Sequence, residues 1–319
     1  MEMLYPTKKI NHLSPSITLS SEKRGYCKNK KLIISFMPKA ISHFVSTDNI
    51  SLHYIEYPRD NAPIILCLHG ITANCHAFDG LVAKGLNKDY HLYAVDLRGR
   101  GLSSQPAFEY AMEDHAADII ALLDALKIEQ VILMGHSFGG LLSYFLASRY
   151  PERVSQIIIL DAAAEMHPDV IEMLAPAFSR LDKKYPNWET YLDAVKAAPY
   201  MTFWSDDMLS YYKADVKTLE DGEVTPIPNI ANITQCAMGV SNEAWEVMIP
   251  TIEQPAILFN AIEAYTLDQP ILPDFKAQET VAMMKNCRYQ SIDGNHLTMM
   301  YENGASEIVA ATRAFLQHE

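Results

Sequence analysis

Val131-Ile132-Leu133-Met134-Gly135-His136-Ser137-Phe138-Gly139-Gly140-Leu141-Leu142-Ser143-Tyr144-Phe145-Leu146-Ala147-Ser148-Arg149 is the stretch from which the fold can be read. Its opening run is apolar throughout, as suits a strand covered on both faces. From Phe138 a helical segment follows without a linker, and it stops before Pro151, which cannot continue a helix. Between the two lies Gly135-x-Ser137-x-Gly139. The small residues allow a tight turn and a close approach of backbone to backbone. A strand–turn–helix of this kind lifts the serine hydroxyl into the open above a sheet.

Working outward, short apolar and β-branched runs alternate with helix-period segments. The runs are Ile41–Ser46, Ser51–Tyr57, Ile64–His69, His91–Leu97, Val131–His136, Val154–Leu160, Ala256–Asn260 and Arg288–Ile292, eight candidate strands in all. Ala111–Leu126 carries a 3.6-residue apolar stripe of Ala116, Ile119, Ile120, Leu123 and Leu126. Glu302–Leu316 is the expected closing helix. Alternation of this kind predicts an α/β protein with a doubly wound, mostly parallel sheet.

One interval breaks the rhythm. Roughly 95 residues between Leu160 and Ala256 lack a strong strand signal and are rich in Tyr, Trp, Met and Pro. A loop of that length without structure is unusual, so a helical subdomain is expected. Its aromatic residues suit either an apolar pocket or the subdomain's own core.

Composition narrows the partners. The chain has 319 residues, 49% of them apolar, enough to bury a core without disulfides or metal. Its net charge of -13 argues against nucleic acid and anionic membranes, which need a basic face. No apolar run reaches the roughly 20 residues of a membrane span. A soluble protein with a small-molecule substrate is expected, and self-association into a homo-oligomer stays open. The five cysteines, Cys27, Cys67, Cys75, Cys236 and Cys287, are odd in number and contain no CxxC. That argues against a disulfide framework or a zinc site and suits a reducing cytoplasm. Residues 1–36 differ from the rest, with seven Lys/Arg against two acids. No long apolar core follows them, so a secretory signal is not expected. The segment reads as a poorly ordered tail, and Met37 is a candidate natural start.

The chemistry begins at Ser137. A serine hydroxyl needs a base at neutral pH. His296, in Asp293-Gly294-Asn295-His296 between the last strand and the last helix, is placed to swing an imidazole over the strand ends. His136 adjoins the serine and is expected to point away from the cleft; His115 falls inside a helix. Acyl transfer also needs donors for an oxyanion. His69-Gly70-Ile71 follows the third strand, so the N–H groups of Ile71 and Phe138 are the candidate oxyanion hole.

Residues 41–319 resemble the α/β-hydrolase superfamily. The resemblance rests on the HG turn at 69–70, Asp96-Leu97-Arg98-Gly99-Arg100-Gly101 after the fourth strand, GHSFG at 135–139 and GNH at 294–296, in that order. It implies an eight-stranded, mostly parallel sheet and a Ser-His-acid mechanism without cofactor or metal. It also implies core segments 37–161 and 254–319 flanking an inserted helical cap at 162–253. The DLRGRG segment is assigned no chemistry.

Many members of the superfamily place the acid in G-x-x-D after strand seven. Here that place reads Asn260-Ala261-Ile262-Glu263, with Asp268 a little further on. Asp161, at the carboxyl end of strand six, is the preferred acid, since an α/β sheet gathers its site at strand carboxyl ends; Glu263 is the alternative. HGITAN, the strand-six Asp and EDGEVTPIPN more loosely resemble (E)-2-(acetamidomethylene)succinate hydrolase-like enzymes. No arginine can be assigned to a substrate carboxylate from the sequence. The expected activity is cleavage of a small ester, amide or related acyl substrate. C–C bond hydrolysis, lactone opening and a non-enzymatic ligand receptor on the same fold are the alternatives.

Overall fold

The structure is a computed structural model that describes residues 40–47 and 50–317. The tail expected over 1–36, and Met37 as a start, lie outside the described residues. Ten strands occur among these residues: β1 (Ile41–Ser46), β2 (Ser51–Tyr57), β3 (Ile64–Leu68), β4 (His91–Val95), β5 (Val131–His136), β6 (Val154–Leu160), β7 (Val216–Thr218), β8 (Val224–Pro226), β9 (Ala256–Ala261) and β10 (Cys287–Ile292). The α-helices are α1 (Asp79–Ala83), α2 (Met112–Ala125), α3 (Phe138–Arg149), α4 (Val170–Phe178), α5 (Trp188–Lys196), α6 (Leu209–Ala214), α7 (Ile230–Ser241), α8 (Trp245–Met248), α9 (Asp274–Met283) and α10 (Glu302–Gln317).

Eight of the strands form one sheet in the order β1-β2-β4-β3-β5-β6-β9-β10. Only β2 runs against its neighbours; β4 through β10 in that order are parallel. The central strands are apolar on both faces, and their period of two divides them. Leu66, Leu133 and Ile159 face the layer of α2 and α3, with Leu122, Leu142 and Phe145. Ile65, Ile132 and Ile158 face the layer of α1 and α10, with Leu81, Ile308 and Phe315. Each such side chain contributes about 1.5–3 kcal/mol by leaving water, which explains why continuous apolar runs were legible as strands.

Two strands end earlier than the sequence predicts. β3 stops at Leu68 because His69 turns inward, its Nδ1–H on the Gly70 carbonyl at 2.8 Å and its Nε2 accepting from Leu97 N–H at 3.0 Å. β4 stops at Val95 because the Asp96 carboxylate captures local donors, Cys75 N–H at 2.7 Å and Leu102 N–H at 2.9 Å. On α2, Leu122 is fully buried while Ile120 and Leu126 are only half-buried.

The long interval after β6 holds α4 to α8 and a two-stranded hairpin, β7 with β8. The hairpin departs from the all-helical expectation. Its strands have three residues each, too short to carry a periodic signal, and its turn uses Gly222 at φ 87. The aromatic residues of this interval divide between two roles. Tyr191 is buried and packs against Tyr185, Trp188 and Tyr212, whereas Tyr200, Tyr211 and Tyr212 also border the cavity above the sheet.

Candidate active site

Ser137 occupies the turn between β5 and α3 in a strained conformation, φ 53 and ψ -118. The turn is closed from both sides. Ser137 N–H donates to the Leu160 carbonyl at 2.9 Å, and its own carbonyl accepts from Gly140 N–H at 2.8 Å. Two glycines are required by close approach. A Cβ on Gly139 would lie 1.9 Å from the Leu68 carbonyl oxygen, and one on Gly135 would lie 2.1 Å from the Gly139 carbonyl oxygen. The Ser137 residue is half-buried, and its hydroxyl has no hydrogen-bond partner among the described residues.

His296 follows β10 on a loop that Asn295 holds in shape. The Asn295 Oδ1 accepts from Leu297 N–H and Thr298 N–H, each at 3.0 Å, and its Nδ2 donates to the Tyr200 carbonyl at 2.9 Å. The imidazole is buried, and its Nδ1 lies 2.7 Å from Asp161 Oδ2. Asp161 ends β6 at φ 54 and is fully buried. Its other oxygen accepts from Ala261 N–H at 2.9 Å and Asn260 Nδ2 at 3.0 Å. The carboxylate is therefore fixed from the neighbouring strand, and it assigns the imidazole proton to Nδ1, leaving Nε2 as the basic nitrogen.

Glu263 is not brought to this point. It is exposed, its N–H donates to the Gly294 carbonyl at 3.1 Å, and its side chain borders a separate surface cleft with Asp293 and Glu302. Asp268 is likewise exposed.

Ile71 and Phe138 border the same cavity as Ser137. Neither backbone N–H has a protein acceptor among the described residues. Arg100 holds both residues in place: its Nε donates to the Ile71 carbonyl at 2.9 Å, and its guanidinium lies over the Phe138 ring at 5.3 Å. The DLRGRG segment was assigned no chemistry, and Arg100 shows what its position does. Arg98 makes a bidentate pair with Asp118, Nε–Oδ2 at 2.6 Å and Nη2–Oδ1 at 2.7 Å, which anchors the segment to α2.

The expectation for His136 is corrected. Its ring faces the cavity, 4.7 Å centroid to centroid from His296, and its Nε2–H donates to the His296 carbonyl at 2.7 Å. Gly70 makes the room, since a Cβ there would lie 3.2 Å from His136 Nδ1. Burial, with the adjacent His296, pushes the His136 pKa down to about 3, so this ring is neutral and acts as a donor.

Two chambers meet at Ser137 and His296. The smaller, about 60 Å³, reaches Arg180, Tyr200 and Tyr211. The larger, about 170 Å³, runs between Leu141, Met166, Val170 and Val240. Among the described residues one triple, His53, Cys75 and Asp96, has the proximity of a metal site. Asp96 is already engaged by His53 Nδ1 at 2.7 Å and by the two N–H groups described above. Burial and the adjacent Asp96 push the Cys75 thiol well above its ordinary range, which suits a protonated, hydrogen-bonded cluster.

The sequence profile of the alpha/beta hydrolase fold matches residues 63–231, just over half of the chain. The chain belongs to the alpha/beta hydrolase family. It is an enzyme of the hydrolase class. This hydrolase is 30% identical over 206 residues to 2-(acetamidomethylene)succinate hydrolase of Mesorhizobium japonicum, a match covering 64% of the chain and 71% of that protein. It is 32% identical over 129 residues to 3-oxoadipate enol-lactonase 2 of Acinetobacter baylyi, covering 40% of the chain and 48% of that protein. Among solved structures, E-2-(acetamidomethylene)succinate hydrolase superposes with a TM-score of 0.76 at 22% identity, covering 88% of the chain and 100% of its own. That superposition supports the fold of the hydrolase alone. Among the described residues no helix of the hydrolase is long and apolar enough to cross a membrane.

Proposed function

We propose that the protein is a serine hydrolase that cleaves a small ester, amide or related acyl substrate through Ser137, His296 and Asp161. The observation that carries this reading is the 2.7 Å pair of His296 Nδ1 with Asp161 Oδ2, opening onto the chamber that the strained Ser137 also borders. Ser137 Oγ attacks the acyl carbon while His296 Nε2 takes its proton. The Ile71 and Phe138 N–H groups donate hydrogen bonds to the developing oxyanion. The imidazolium, steadied by Asp161, returns the proton to the leaving group. Water then attacks the acyl-enzyme, with His296 again as base, and restores Ser137. The segment 162–253 acts as a cap over this chemistry, on a core made of 37–161 and 254–319. Free cysteines at 67, 75, 236 and 287 support a cytoplasmic setting.

The similarity to an enol-lactonase favours lactone opening as a second reading on the same residues; C–C bond cleavage is its close companion. The test is hydrolysis of short-chain p-nitrophenyl esters by the wild type and by Ser137→Ala. Turnover that vanishes in the variant is the expected result. Equal turnover in both would overturn the assignment. Inactivity of both, with turnover of lactones or β-diketones by the wild type alone, would favour the second reading.

A further inference from the structure

The small chamber beside Ser137 contains one formal charge among its lining side chains, and it is positive. Arg180 borders the chamber together with Tyr200, Tyr211, Ser137 and His296, and among the described residues no acidic side chain does. The chain as a whole carries a net charge of -13, so the sign of this chamber is opposite to that of the protein. Arg180 is 7% exposed. Its Nη2 donates to Asp215 Oδ1 at 3.2 Å and weakly to the Thr72 carbonyl at 3.4 Å. Its Nη1 makes no well-formed hydrogen bond and is covered, and the Tyr211 hydroxyl adjoins the guanidinium. Asp215 lies behind Arg180, away from the chamber lining, and also accepts a hydrogen bond from the Tyr191 hydroxyl. The pair thus holds the guanidinium in place and charged, but it leaves donor capacity unused. A buried guanidinium N–H without an acceptor is costly, and a planar carboxylate offers two oxygens in matching geometry.

The second chamber has the opposite chemistry. Among the described residues no Lys, Arg, Asp or Glu borders it, and Leu141, Met166, Val170, Leu174 and Val240 dominate its wall. At about 170 Å³ it is close to the size of apolar cavities that hold a benzene ring. The Arg180 chamber, at about 60 Å³, has room for a carboxylate on a short stem and none for a ring. Both chambers share Ile71, Ser137, Leu174, Phe178 and His296, so a bond held at Ser137 has one chamber for each of its halves.

We infer that the substrate is an amphiphile, with a carboxylate bound by Arg180 in the small chamber and an apolar group up to the size of a phenyl ring in the large one. This assignment deepens the proposed function and rests on it for the bond that is cut. It does not rest on it for binding. Arg180 acts on the substrate as a specificity-determining group, and the reaction parts the fragment that carries this carboxylate from the fragment that carries the apolar group.

The experiment compares monobenzyl succinate with its neutral isostere, benzyl succinamate, and the reversed pair, phenylacetylglycolic acid with ethyl phenylacetate. The expected wild-type preference for the acid of one pair is about 100-fold in kcat/KM. A change of Arg180 alone would strand Asp215 in the core, so the informative variant is the double substitution Arg180→Met with Asp215→Asn. It is expected to reduce the preference to below about threefold, whereas Arg180→Lys retains part of it. Calorimetric titration of Ser137→Ala with the same acid and amide reads binding without catalysis, and it needs no change at Arg180. Tighter binding of the acid by about 100-fold supports the subsite even if Ser137 proves not to be the nucleophile. Equal binding of acid and amide overturns it, as does a preference that survives the double variant. For the apolar chamber, monomethyl succinate is expected to show a KM about tenfold above that of monobenzyl succinate. Equal KM values would remove the apolar half of the assignment.

Discussion

Arg100 donates its Nε–H to the carbonyl oxygen of Ile71 at 2.9 Å, and Arg100 itself is fully buried. The N–H of the same residue, in the peptide just before this carbonyl, is one of the two proposed oxyanion donors. The contact therefore fixes the direction of the loop without touching substrate. Replacing Arg100 by Met is expected to lower kcat by about 10- to 100-fold with a smaller change in KM, less than the loss from deleting an oxyanion donor outright. Steady-state kinetics beside a thermal melt separate this from simple unfolding. A fall in kcat/KM carried by KM alone would assign Arg100 to packing.

Asp161 and Glu263 are told apart by a pair of isosteric changes. Asp161→Asn keeps the shape but offers Nδ1 of His296 an amide, which misplaces the imidazole proton. A loss of about 10⁴ in kcat is expected. Glu263→Gln, on an exposed residue outside the cavity, is expected to keep wild-type kcat and KM. The reverse pattern would move the acid to the strand-seven loop.

The backbone of Ser137 stores strain that glycine would not feel. At φ 53 and ψ -118 any side chain is disfavoured, at a cost of about 1–3 kcal/mol. Ser137→Gly is accordingly expected to exceed Ser137→Ala in stability by about 1 kcal/mol, although glycine usually loosens a chain. Urea denaturation of the two inactive variants gives the difference directly. Alanine being the more stable would mean that the surrounding turn imposes no such strain.

Three buried histidines set the acid limit. Burial, reinforced by Arg100, lowers His69 to about 4; burial with His296 lowers His136 to about 3; burial with Arg100 and Arg98 takes His115 well below its ordinary value. In the unfolded chain each titrates near 6.5. Between about pH 4 and 6.5 the unfolded chain therefore binds more protons than the native one, and stability falls as pH falls, by roughly 1.4 kcal/mol per pH unit for each histidine. Urea midpoints at pH 7, 6 and 5 should decline steeply. His115→Phe, which fills a site between Tyr110 and Phe138 where the His115 Nδ1 has no partner, should remove about a third of the slope. A flat profile would show that these rings become solvated in the native state.

The core and the candidate reactive groups are legible where local chemistry repeats itself. Continuous apolar runs gave β3, β5, β6 and β9 because both faces of those strands are covered. Ser137 was legible through the flanking glycines and His296 through its loop. Asp161 is favoured from its place at a strand end, but Asn260 and Asn295, which orient the Asp161 carboxylate and the loop of His296, resemble ordinary turn residues in sequence. His136 was misplaced because its direction depends on the absent side chain of Gly70, far away along the chain. Arg180 was invisible for a similar reason. It lies in Ser179-Arg180-Leu181-Asp182-Lys183-Lys184, which reads as a solvated surface. Only Asp215, brought near by the hairpin β7–β8 and α6, makes its burial affordable.

The proposed nucleophile, base and acid all follow the carboxyl ends of core strands, whereas Arg180, Tyr200, Tyr211, Leu174 and Val240 are carried by the segment between β6 and β9. On the proposed roles, cutting a bond and choosing the molecule are written in separate stretches of the chain. A change in the intervening segment can redirect the enzyme to a different acid or a different apolar group while the cutting apparatus is inherited intact. The Asn295–Tyr200 hydrogen bond is one of the joints between the two, and there an exchange of one segment for another must be fitted with care.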